Sequence, residues 1–599
     1  MSIALIKIKE VIIYGFFFLV LSCSTDYKET NYYTNNHNET LDRFYKKQLR
    51  ECLLDVEKIN TSIQKDSLLI KFKTARLSFK KLEPLMAFFN AATYKNLNRP
   101  NLPIVDEDDN AKKILNPTGF QVLEEVISEN QLDSSEIEKH IENIKSTLEL
   151  ELKTQHFKKV KKHHILWLIK DSYLRIMALG ISGFDSPIIQ HSLAENKAVV
   201  SSISSILEIF KEDYSDKNIY EESQDLLLQT TEKLNHKDFN TFNRYVFIKS
   251  NLHPLLNLLN TTAKDWNVSY PFDRKLSNTA NSFFNQSTFN LHQFSPNYGK
   301  VTDSVIALGK ILFHEKKLSH NNKMSCASCH QPKKAFTDGL QFSIANDSSF
   351  VKRNSPTLLF SGLQAAQFYD ARASSLETQI IGVVENKKEF HNNIDNIIGN
   401  LKQDTIYQNQ FSENYKNGLT SVNLRHAIAS YIRTLSAFNS KFDLNISNTV
   451  NNLTQDEITG FNLFMGKAKC ATCHFAPTFN GTVPPNYSES ELEVLGVPNT
   501  IAWKKAIIDD DKGRYNIFNV DKKKHAFKTP TIRNAFETGP YMHNGVYNSL
   551  DEVIKFYNLG GGSGIGITIN NQTLPPEPLN LSELESKQLI AFIKSLSDS

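Results

Sequence analysis

Long hydrophobic runs are nearly absent from this chain, and so is an excess of one charge. In 599 residues, only residues 11–21 are apolar enough to enter a bilayer, and they lie close to the N-terminus. The 68 basic and 65 acidic residues leave a formal net charge of +3, too small to indicate binding to nucleic acid. Hydrophobic residues make up 40% of the chain, which excludes global disorder and a fibrous repeat.

Glycine is scarce in the first half of the chain and common in the second. Three of the 23 glycines lie in residues 24–296 and nineteen in residues 299–599, so tight turns are expected mainly in the second half. In the first half, apolar residues recur at helical spacing, as in Ile137, Ile141, Ile144, Leu148 and Leu152. We predict an all-helical domain over residues 41–270, preceded by a tether over 24–40 and followed by a linker over 271–298.

The first 23 residues have the pattern of an export signal. Lys7 and Lys9 precede the apolar run, which is too short for a comfortable transmembrane helix and ends at Ser22-Cys23. This ending resembles a bacterial lipoprotein signal, in which residues 1–23 direct export and Cys23 carries the lipid. The alternative is an uncleaved anchor helix. The lipoprotein interpretation places the chain on the periplasmic side of a bacterial membrane, which we expect to be the outer membrane, held by its lipid anchor.

Cysteine is rare, and its placement is specific. Cys23 and Cys52 stand apart, and Cys52 is interpreted as a buried or free thiol. The other four lie in two C-x-x-C-H strings, which have the spacing of c-type haem attachment: Cys326, Cys329 and His330, then Cys470, Cys473 and His474. Two thiols one helical turn apart can each add to a haem vinyl group, and the adjacent imidazole becomes an axial ligand of the iron. The alternatives are disulfides or a zinc site, although zinc has no use for a histidine after each pair.

Each string lies in its own half of the glycine-rich region. We therefore predict a mainly α fold, with two c-type cytochrome domains packed together after the helical domain. The first covers residues 299–440 and the second covers residues 441–599, and each holds one haem. From Gln331 to Phe390 there is no histidine or methionine, so the first iron has no evident second ligand and can bind a small oxidant.

Ordered motifs surround both strings. They are LGKILFHEKKLS and AFTDG on either side of CASCH, RNSPTLL and FYDARASSLETQ further on, and TPTIRN and GPYMHNGVYNSLDEVIKFYNLGG after CATCH. With these motifs, residues 299–599 resemble the bacterial di-haem cytochrome c peroxidases and the related MauG-type enzymes. The resemblance implies two covalently bound c-type haems, with peroxide chemistry at the first haem and entry of electrons through the second.

The resemblance also implies roles for individual residues. Glu389 matches the acid/base at the peroxide-binding haem, and Gln379 matches its neighbour in the distal pocket. Cleavage of an O–O bond needs one oxygen deprotonated and the other protonated, and a carboxylate can do both, although its polar neighbours alone would indicate a surface charge. Asn354, with the carbonyl groups of Thr538 and Pro540, matches a calcium site between the haem domains, and such oxygens suit that cation.

Three positions depart from the family pattern. The loop over residues 343–350 has no histidine, whereas the family's peroxidases often have one there that caps the first haem until activation. The tryptophan usually found between the haems is Tyr369, which can also be oxidised. The methionine ligand of the second haem aligns with Tyr557, where MauG-type enzymes have a tyrosine ligand. The alternatives are a Tyr557 that is packed and hydrogen-bonded in the core, or one of three other ligands: Met542, His543 or His525.

Three functions are compatible with these patterns. The first is a peroxidase that reduces hydrogen peroxide to water with electrons from a small redox protein, such as a cytochrome c or a cupredoxin. The second is MauG-like oxidation of a protein or organic substrate, which Tyr557 and the uncapped first haem favour. The third is a di-haem electron carrier without catalysis, which needs two protein ligands on each iron. The stretch without such ligands after His330 conflicts with it.

Overall fold

The computed structural model describes residues 35–61, 64–106, 110–296 and 300–598. The predicted signal peptide with Cys23 lies outside these residues, as does most of the predicted tether. Helices dominate the described chain, which confirms the prediction of a mainly α fold. Within the described residues, no helix combines the length and the apolar character that a membrane crossing needs.

In the part of the N-terminal domain that the structure describes, there are ten helices. They are α1 (Asn35–Glu57), α2 (Lys65–Phe89), α3 (Ala91–Leu97), α4 (Phe120–Ser128), α5 (Ser134–Leu152), α6 (Lys162–Arg175), α7 (Ser192–Ile209), α8 (Lys217–Lys233), α9 (Arg244–Phe247) and α10 (His253–Asp265). Helices α6 and α9 continue into π-helical turns at Ile176–Gly180 and Ile248–Leu252. Helix α1 begins at Asn35, inside the predicted tether, because the helix that buries Leu41 and Tyr45 extends further toward the N-terminus.

Local sequence accounts for where α5 begins and which face it buries. The Asp133 side chain caps the helix and accepts hydrogen bonds from the backbone N–H groups of Ser135 (2.9 Å) and Glu136 (3.1 Å). Four of the five residues that the periodicity indicated are buried, namely Ile137, Ile141, Ile144 and Leu148, and Leu152 at the end of the helix is partly buried.

A two-stranded hairpin interrupts the helices of the N-terminal domain. Strand β1 (Ile104–Asp106) pairs antiparallel with β2 (Asn110–Leu115). Pro103 and Pro117 flank the hairpin and prevent the neighbouring helices from extending into it. The low glycine content predicted only helices here. The hairpin is instead bounded by prolines.

The segment predicted as a linker packs into the molecule. Phe283 and Phe284 are fully buried. The Phe284 ring lies 5.6 Å from Phe442 and 6.2 Å from Phe479 of the second cytochrome domain, measured between ring centroids. The linker therefore fixes the N-terminal domain against the second cytochrome domain.

The first cytochrome domain consists of six helices. They are α11 (Asp303–His314), α12 (Cys326–Cys329), α13 (Leu376–Glu385), α14 (Ile394–Leu401), α15 (Thr405–Asn414) and α16 (Ser421–Arg433). Helix α11 packs on α16, and the two backbones approach most closely where Gly309 faces the carbonyl group of Ala427.

The second cytochrome domain repeats this helix pairing. Its elements are α17 (Lys441–Ile446), α18 (Gln455–Met465), β3 (Leu492–Val494), α19 (Tyr515–Phe518), β4 (Ala526–Lys528), α20 (Leu550–Asn558), α21 (Gly561–Gly564) and α22 (Glu583–Ser595). Helix α18 packs on α22, and Gly460 faces the carbonyl group of Gln588 at the crossing. The short strands β3 and β4 pair antiparallel.

The N-terminal domain and the second cytochrome domain share one continuous hydrophobic core, to which Phe360, Leu363 and Phe438 of the first cytochrome domain also belong. The rest of the first cytochrome domain has a core of its own. Tyr245 of α9 packs against Phe442 and Phe461 of the second cytochrome domain. The Tyr245 N–H donates a hydrogen bond to Asn462 Oδ1 (3.1 Å), and Lys249 Nζ donates one to a backbone carbonyl of α17 (2.8 Å). The N-terminal domain is thus built into the second cytochrome domain.

Candidate active site

The first C-x-x-C-H string forms a single helical turn, α12, that His330 ends. The His330 N–H donates to the carbonyl oxygen of Cys326 (2.9 Å), which places the imidazole next to the two thiols. The His330 Nδ1 lies 3.1 Å from the carbonyl oxygen of Phe336. Because a carbonyl can only accept a hydrogen bond, Nδ1 carries the proton and Nε2 keeps its lone pair.

The second string has the same arrangement on a 3-10 turn at Cys470–Thr472. His474 Nδ1 lies 2.9 Å from the carbonyl oxygen of Pro530 and 3.3 Å from that of Phe479, so Nε2 again keeps its lone pair. Burial lowers the pKa of His474 to about 4 and lowers that of His330 below its ordinary value. Both imidazoles are therefore neutral at pH 7, as a metal ligand must be.

Both strings fit covalent haem better than the alternatives. All four cysteines are free thiols, so neither pair forms a disulfide. In the part of the chain that the structure describes, no group of three or more His, Cys, Asp or Glu side chains could hold a metal ion, so the two pairs do not combine into a zinc site. Two thiols beside an imidazole with a free Nε2 form the donor set of a c-type haem, held by Cys326, Cys329 and His330 or by Cys470, Cys473 and His474.

A cavity adjoins the first string and brings its residues together with the predicted catalytic pair. Cys326, Cys329 and His330 line one part of it, and Gln379 and Glu389 line another. Gln379 lies on α13, and Glu389 lies in the turn after that helix. The rest of the wall is almost entirely apolar and includes Met324, Leu358, Ile380, Val383, Ile428 and Ile432.

Glu389 differs from its exposed neighbours because its side chain enters this cavity. Burial raises the pKa of Glu389 to about 7, and a hydrogen bond from Asn386 Nδ2 to Oε1 (2.6 Å) acts in the opposite direction. Lys387 and Lys388 beside it are exposed. A carboxyl group that titrates near neutral pH can both take up and return a proton.

Asn386 is a site residue that the sequence analysis missed. It follows α13 and organises the turn, because its carbonyl oxygen accepts the N–H of Glu389 (3.0 Å) and its Oδ1 accepts the N–H of Lys388 (3.0 Å). An asparagine directly after a helix and three positions before an acidic residue is typical of such a turn. That spacing was the signal available in the sequence.

Tyr557 lies beside the second string. It is on α20, close enough to the thiols of Cys470 and Cys473 to interact electrostatically with both. Burial raises the pKa of its hydroxyl group, and the two thiols raise it further. Among the described residues, its hydroxyl group has no hydrogen-bond partner, unlike the packed and hydrogen-bonded tyrosine of the alternative interpretation.

The other candidate ligands of the second haem have different surroundings. The His543 ring stacks on Phe527 at 3.8 Å, and its Nε2 lies 3.1 Å from Asp509 Oδ1. His525 Nδ1 lies 2.9 Å from a backbone carbonyl oxygen. Met542 packs against the same apolar cluster as Tyr557. His543 Nε2 is thus engaged by Asp509, whereas His525 keeps the lone pair of its Nε2. The position of Tyr557 beside Cys470 and Cys473 makes it the favoured candidate.

Tyr369 lies where the two cytochrome domains meet. Its carbonyl oxygen accepts a hydrogen bond from the N–H of Lys528 on β4 (2.6 Å), and its hydroxyl group donates to Asn354 Oδ1 (3.3 Å). Arg353 strengthens the same junction through an ion pair with Asp511 of the second cytochrome domain (2.6 Å). Tyr369 therefore contacts both cytochrome domains, and its place between the haems stays a prediction.

The residues of the predicted calcium site lie near this junction. The Asn354 N–H donates to the carbonyl oxygen of His543 (2.8 Å), in the turn that follows Thr538 and Pro540. The Asn354 Oδ1 accepts the hydrogen bond from Tyr369, and its second lone pair remains available. Calcium binding stays a prediction.

Comparison with known proteins gives several matches. Residues 303–451 match the sequence profile of the family described as di-haem cytochrome c peroxidase. Cytochrome-c peroxidase IdrP1 of Pseudomonas sp. (strain SCT) is 34% identical over 317 residues, which are 49% of this chain and 80% of that protein. Cytochrome-c peroxidase IdrP2 of Denitromonas iodatirespirans is 31% identical over 313 residues, 49% of this chain and 81% of that protein.

A relative with another name is equally similar. The methylamine utilization protein MauG of Methylorubrum extorquens is 30% identical over 305 residues, which are 50% of this chain and 80% of that protein. Each of these three relatives thus matches about half of the present chain over most of its own length. Together with the two haem-binding strings, these matches show that the chain belongs to the di-haem cytochrome c peroxidase family and is a peroxidase-type oxidoreductase with two c-type haems.

Proposed function

We propose that the protein reduces hydrogen peroxide to water at the first haem, with electrons from a small redox protein that enter through the second haem. Each turnover consumes one peroxide, two electrons and two protons and yields two water molecules. The haem iron, when bound, supplies the site that holds peroxide and exchanges electrons with it. The observation that carries the proposal is that Gln379 and Glu389 line the same cavity as His330.

Glu389 moves the proton in this proposal. Its Oε1 is occupied by the hydrogen bond from Asn386, which leaves Oε2 to take a proton from one peroxide oxygen. The carboxyl group then gives that proton to the oxygen that leaves as water. Gln379 orients the peroxide through its amide group. The apolar wall keeps bulk water out, which strengthens these polar contacts.

Electrons need a route between the two haems. We propose Tyr369 as the residue on this route, which its position at the contact between the two cytochrome domains supports. We propose that the hydroxyl oxygen of Tyr557 would bind the iron of the second haem, which its place beside Cys470 and Cys473 supports. The electron donor is a small protein such as a cytochrome c or a cupredoxin.

A second function is favoured by one observation. Tyr557 beside the second string supports MauG-like oxidation of a protein or an organic substrate, because an anionic tyrosinate favours the ferric state of the second haem relative to a methionine ligand. In that case, the oxidising equivalents from peroxide pass to the substrate, and electrons from a donor protein are not needed.

Two further proposals concern a bound calcium ion and the cellular location of the enzyme. We propose a calcium ion at Asn354 and the carbonyl groups of Thr538 and Pro540, supported by the place of Asn354 at the domain junction. We also propose that the protein is exported and held on the periplasmic side of the membrane by a lipid on Cys23. This second proposal rests on the sequence of residues 1–23 alone.

One pair of measurements on the full-length, haem-loaded protein tests the peroxidase proposal. An EPR spectrum of the ferric protein reports the spin state of each haem, and the oxidation of reduced cytochrome c by peroxide reports turnover. We expect one high-spin haem together with turnover. A high-spin haem without turnover favours the MauG-like function, and two low-spin haems without turnover contradict both.

A further inference from the structure

A second cavity lies between the N-terminal domain and the second cytochrome domain and shares no lining residue with the haem cavity. Its volume is about 540 Å³, within the range of small-molecule sites and too small for a folded protein segment. Its walls come from α6, the end of α2, the linker and Pro485 of the second cytochrome domain. The proposed peroxide chemistry does not use this cavity.

Flat aromatic side chains form much of its wall. The rings of Trp167 and Phe272 have centroids 5.1 Å apart and are tilted by 42°, and Phe88 and Phe89 also line the cavity. Phe272 is 61% exposed and stands at the rim. Such walls fit the faces of a planar apolar body.

Positive charge dominates the polar part of the lining. Arg175, Arg274 and Lys159 line the cavity together with one acidic residue, Asp171. Arg274 already pairs with Asp171, because its Nη2 lies 2.7 Å from Asp171 Oδ2. The Arg175 guanidinium lies 4.6 Å from the Tyr94 ring and forms no ion pair with any carboxylate that the structure describes. Lys159 also has no carboxylate partner among the described residues, but it is exposed, so the half-buried Arg175 is the better placed cation for an anionic ligand.

Asp171 provides a second polar anchor. Its side chain is 8% exposed, and Oδ2 accepts the hydrogen bond from Arg274. Its other oxygen, Oδ1, is buried and has no hydrogen-bond partner. A buried polar atom without a partner is costly, so a ligand with a hydroxyl group would gain affinity by donating to Oδ1.

We propose that this cavity binds a small aromatic carboxylate that carries a hydroxyl group. The carboxylate pairs with the Arg175 guanidinium, whose planar donors match its two oxygens. The ring lies among Phe88, Phe89 and Trp167, and the hydroxyl group donates to Asp171 Oδ1. Because Pro485 belongs to the second cytochrome domain, the ligand contacts both domains at once.

Isothermal titration calorimetry on the full-length, haem-loaded protein tests the proposal with two probes, 4-hydroxybenzoate and 4-hydroxycinnamate. We expect at least one of them to bind. The matched compound without the hydroxyl group, benzoate or cinnamate, should bind about tenfold more weakly, the ordinary effect of one lost hydrogen bond. Phenol, which lacks the carboxylate, should also bind more weakly, and 4-hydroxybenzylamine, with a cation instead, should not bind.

Variants separate this site from adventitious binding. Arg175→Gln should weaken probe binding at least tenfold, whereas Arg50→Gln, a change at an exposed arginine of α1, should leave it unchanged. Phe272→Ala removes a rim residue without opening the core and should weaken binding severalfold. Peroxide turnover should stay unchanged in all three variants. No binding of either probe, equal binding to the Arg175→Gln variant, or preference for the amine would overturn the proposal.

Discussion

At the scale of single residues, Glu389 is the side chain on which the proposed chemistry depends most. Glu389→Gln keeps the size of the side chain and removes its ability to exchange a proton. Peroxide turnover should fall by about 10²–10⁴-fold, the usual contribution of a positioned acid/base, while both haem spectra stay unchanged. Glu385→Gln is the matched control, because Glu385 is exposed and belongs to the same helix end. Unchanged turnover in the Glu389→Gln variant would show that Glu389 is a surface charge and not the acid/base.

Asn386 should affect peroxide turnover through the pKa of Glu389. Glu389 must be deprotonated to take the peroxide proton, so turnover should rise with pH through its pKa of about 7. The hydrogen bond from Asn386 lowers that pKa, and its removal in Asn386→Ala should raise the pKa and move the rising limb to higher pH. A pH–rate profile measures this shift. The control is Asn396→Ala, on the exposed side of α14, which should leave the rising limb of the pH–rate profile unchanged. If the limb does not move in the Asn386→Ala variant either, Asn386 does not position Glu389.

Tyr557 can be tested by its effect on the second iron. Tyr557→Phe removes the hydroxyl oxygen with little loss of volume. If that oxygen is the ligand, the low-spin ferric EPR signal should become high-spin or change type, and the potential of the second haem should rise. Tyr547→Phe is the matched control, because Tyr547 belongs to the same apolar cluster. A spectrum and a potential identical to those of the parent would leave Met542 as the candidate ligand.

The sequence predicted some residues of the site and not others for a physical reason. The C-x-x-C-H strings could be identified because their chemistry depends on residues that are adjacent in the chain. Glu389 could be identified only by resemblance, because its polar neighbours conceal that its side chain enters an apolar cavity. The contact of His474 with the Pro530 carbonyl joins distant parts of the chain, so no local pattern could predict it.

At the scale of elements, each cytochrome domain is held together by one helix crossing with a glycine at its centre. A methyl group at Gly309 would overlap the carbonyl oxygen of Ala427, and one at Gly460 would overlap that of Gln588. Neither glycine has a positive φ angle, so close approach of the backbones, rather than backbone conformation, is what requires glycine there. Helical periodicity could predict the helices, but it could not predict which of them cross.

These crossings give a prediction with a matched control. Gly309→Ala and Gly460→Ala should each lower the free energy of unfolding by about 1–3 kcal/mol or more, as overpacking does. Gly399→Ala on α14 should have no such effect and can stabilise by up to about 1 kcal/mol, because nothing lies within 4 Å of the added methyl group. Denaturant titration followed at the haem absorption bands measures the difference. Equal stability of all three variants would contradict the close-approach argument.

At the scale of the whole molecule, the N-terminal domain shares its hydrophobic core mainly with the second cytochrome domain. The sequence predicted a separate domain and a linker, because composition changes sharply near residue 299. The structure instead has one core across that boundary, which includes the linker residues Phe283 and Phe284. The glycine content of a segment indicates how many tight turns it has. It does not indicate which helices pack together, so it could not predict the shared core.

The linker connects this shared core to His474, the imidazole of the second C-x-x-C-H string. Phe284 packs on Phe479, and the carbonyl oxygen of Phe479 is one of the two that hold His474 Nδ1. The packing of the N-terminal domain therefore supports the orientation of the second proximal imidazole. We expect the N-terminal domain and the second cytochrome domain to unfold as one cooperative unit.

Phe284→Ala tests this cooperation. Removing a fully buried phenylalanine should cost about 3–5 kcal/mol. Because the core is shared, hydrogen exchange followed by mass spectrometry should show faster exchange in α9 and α10 and also in α18 and α22, whereas α11 and α16 should keep their protection. Phe272→Ala in the same linker is the matched control, because its side chain is 61% exposed and its loss opens no cavity in the core. Faster exchange confined to α9 and α10 would mean that the two domains unfold independently, despite their continuous core.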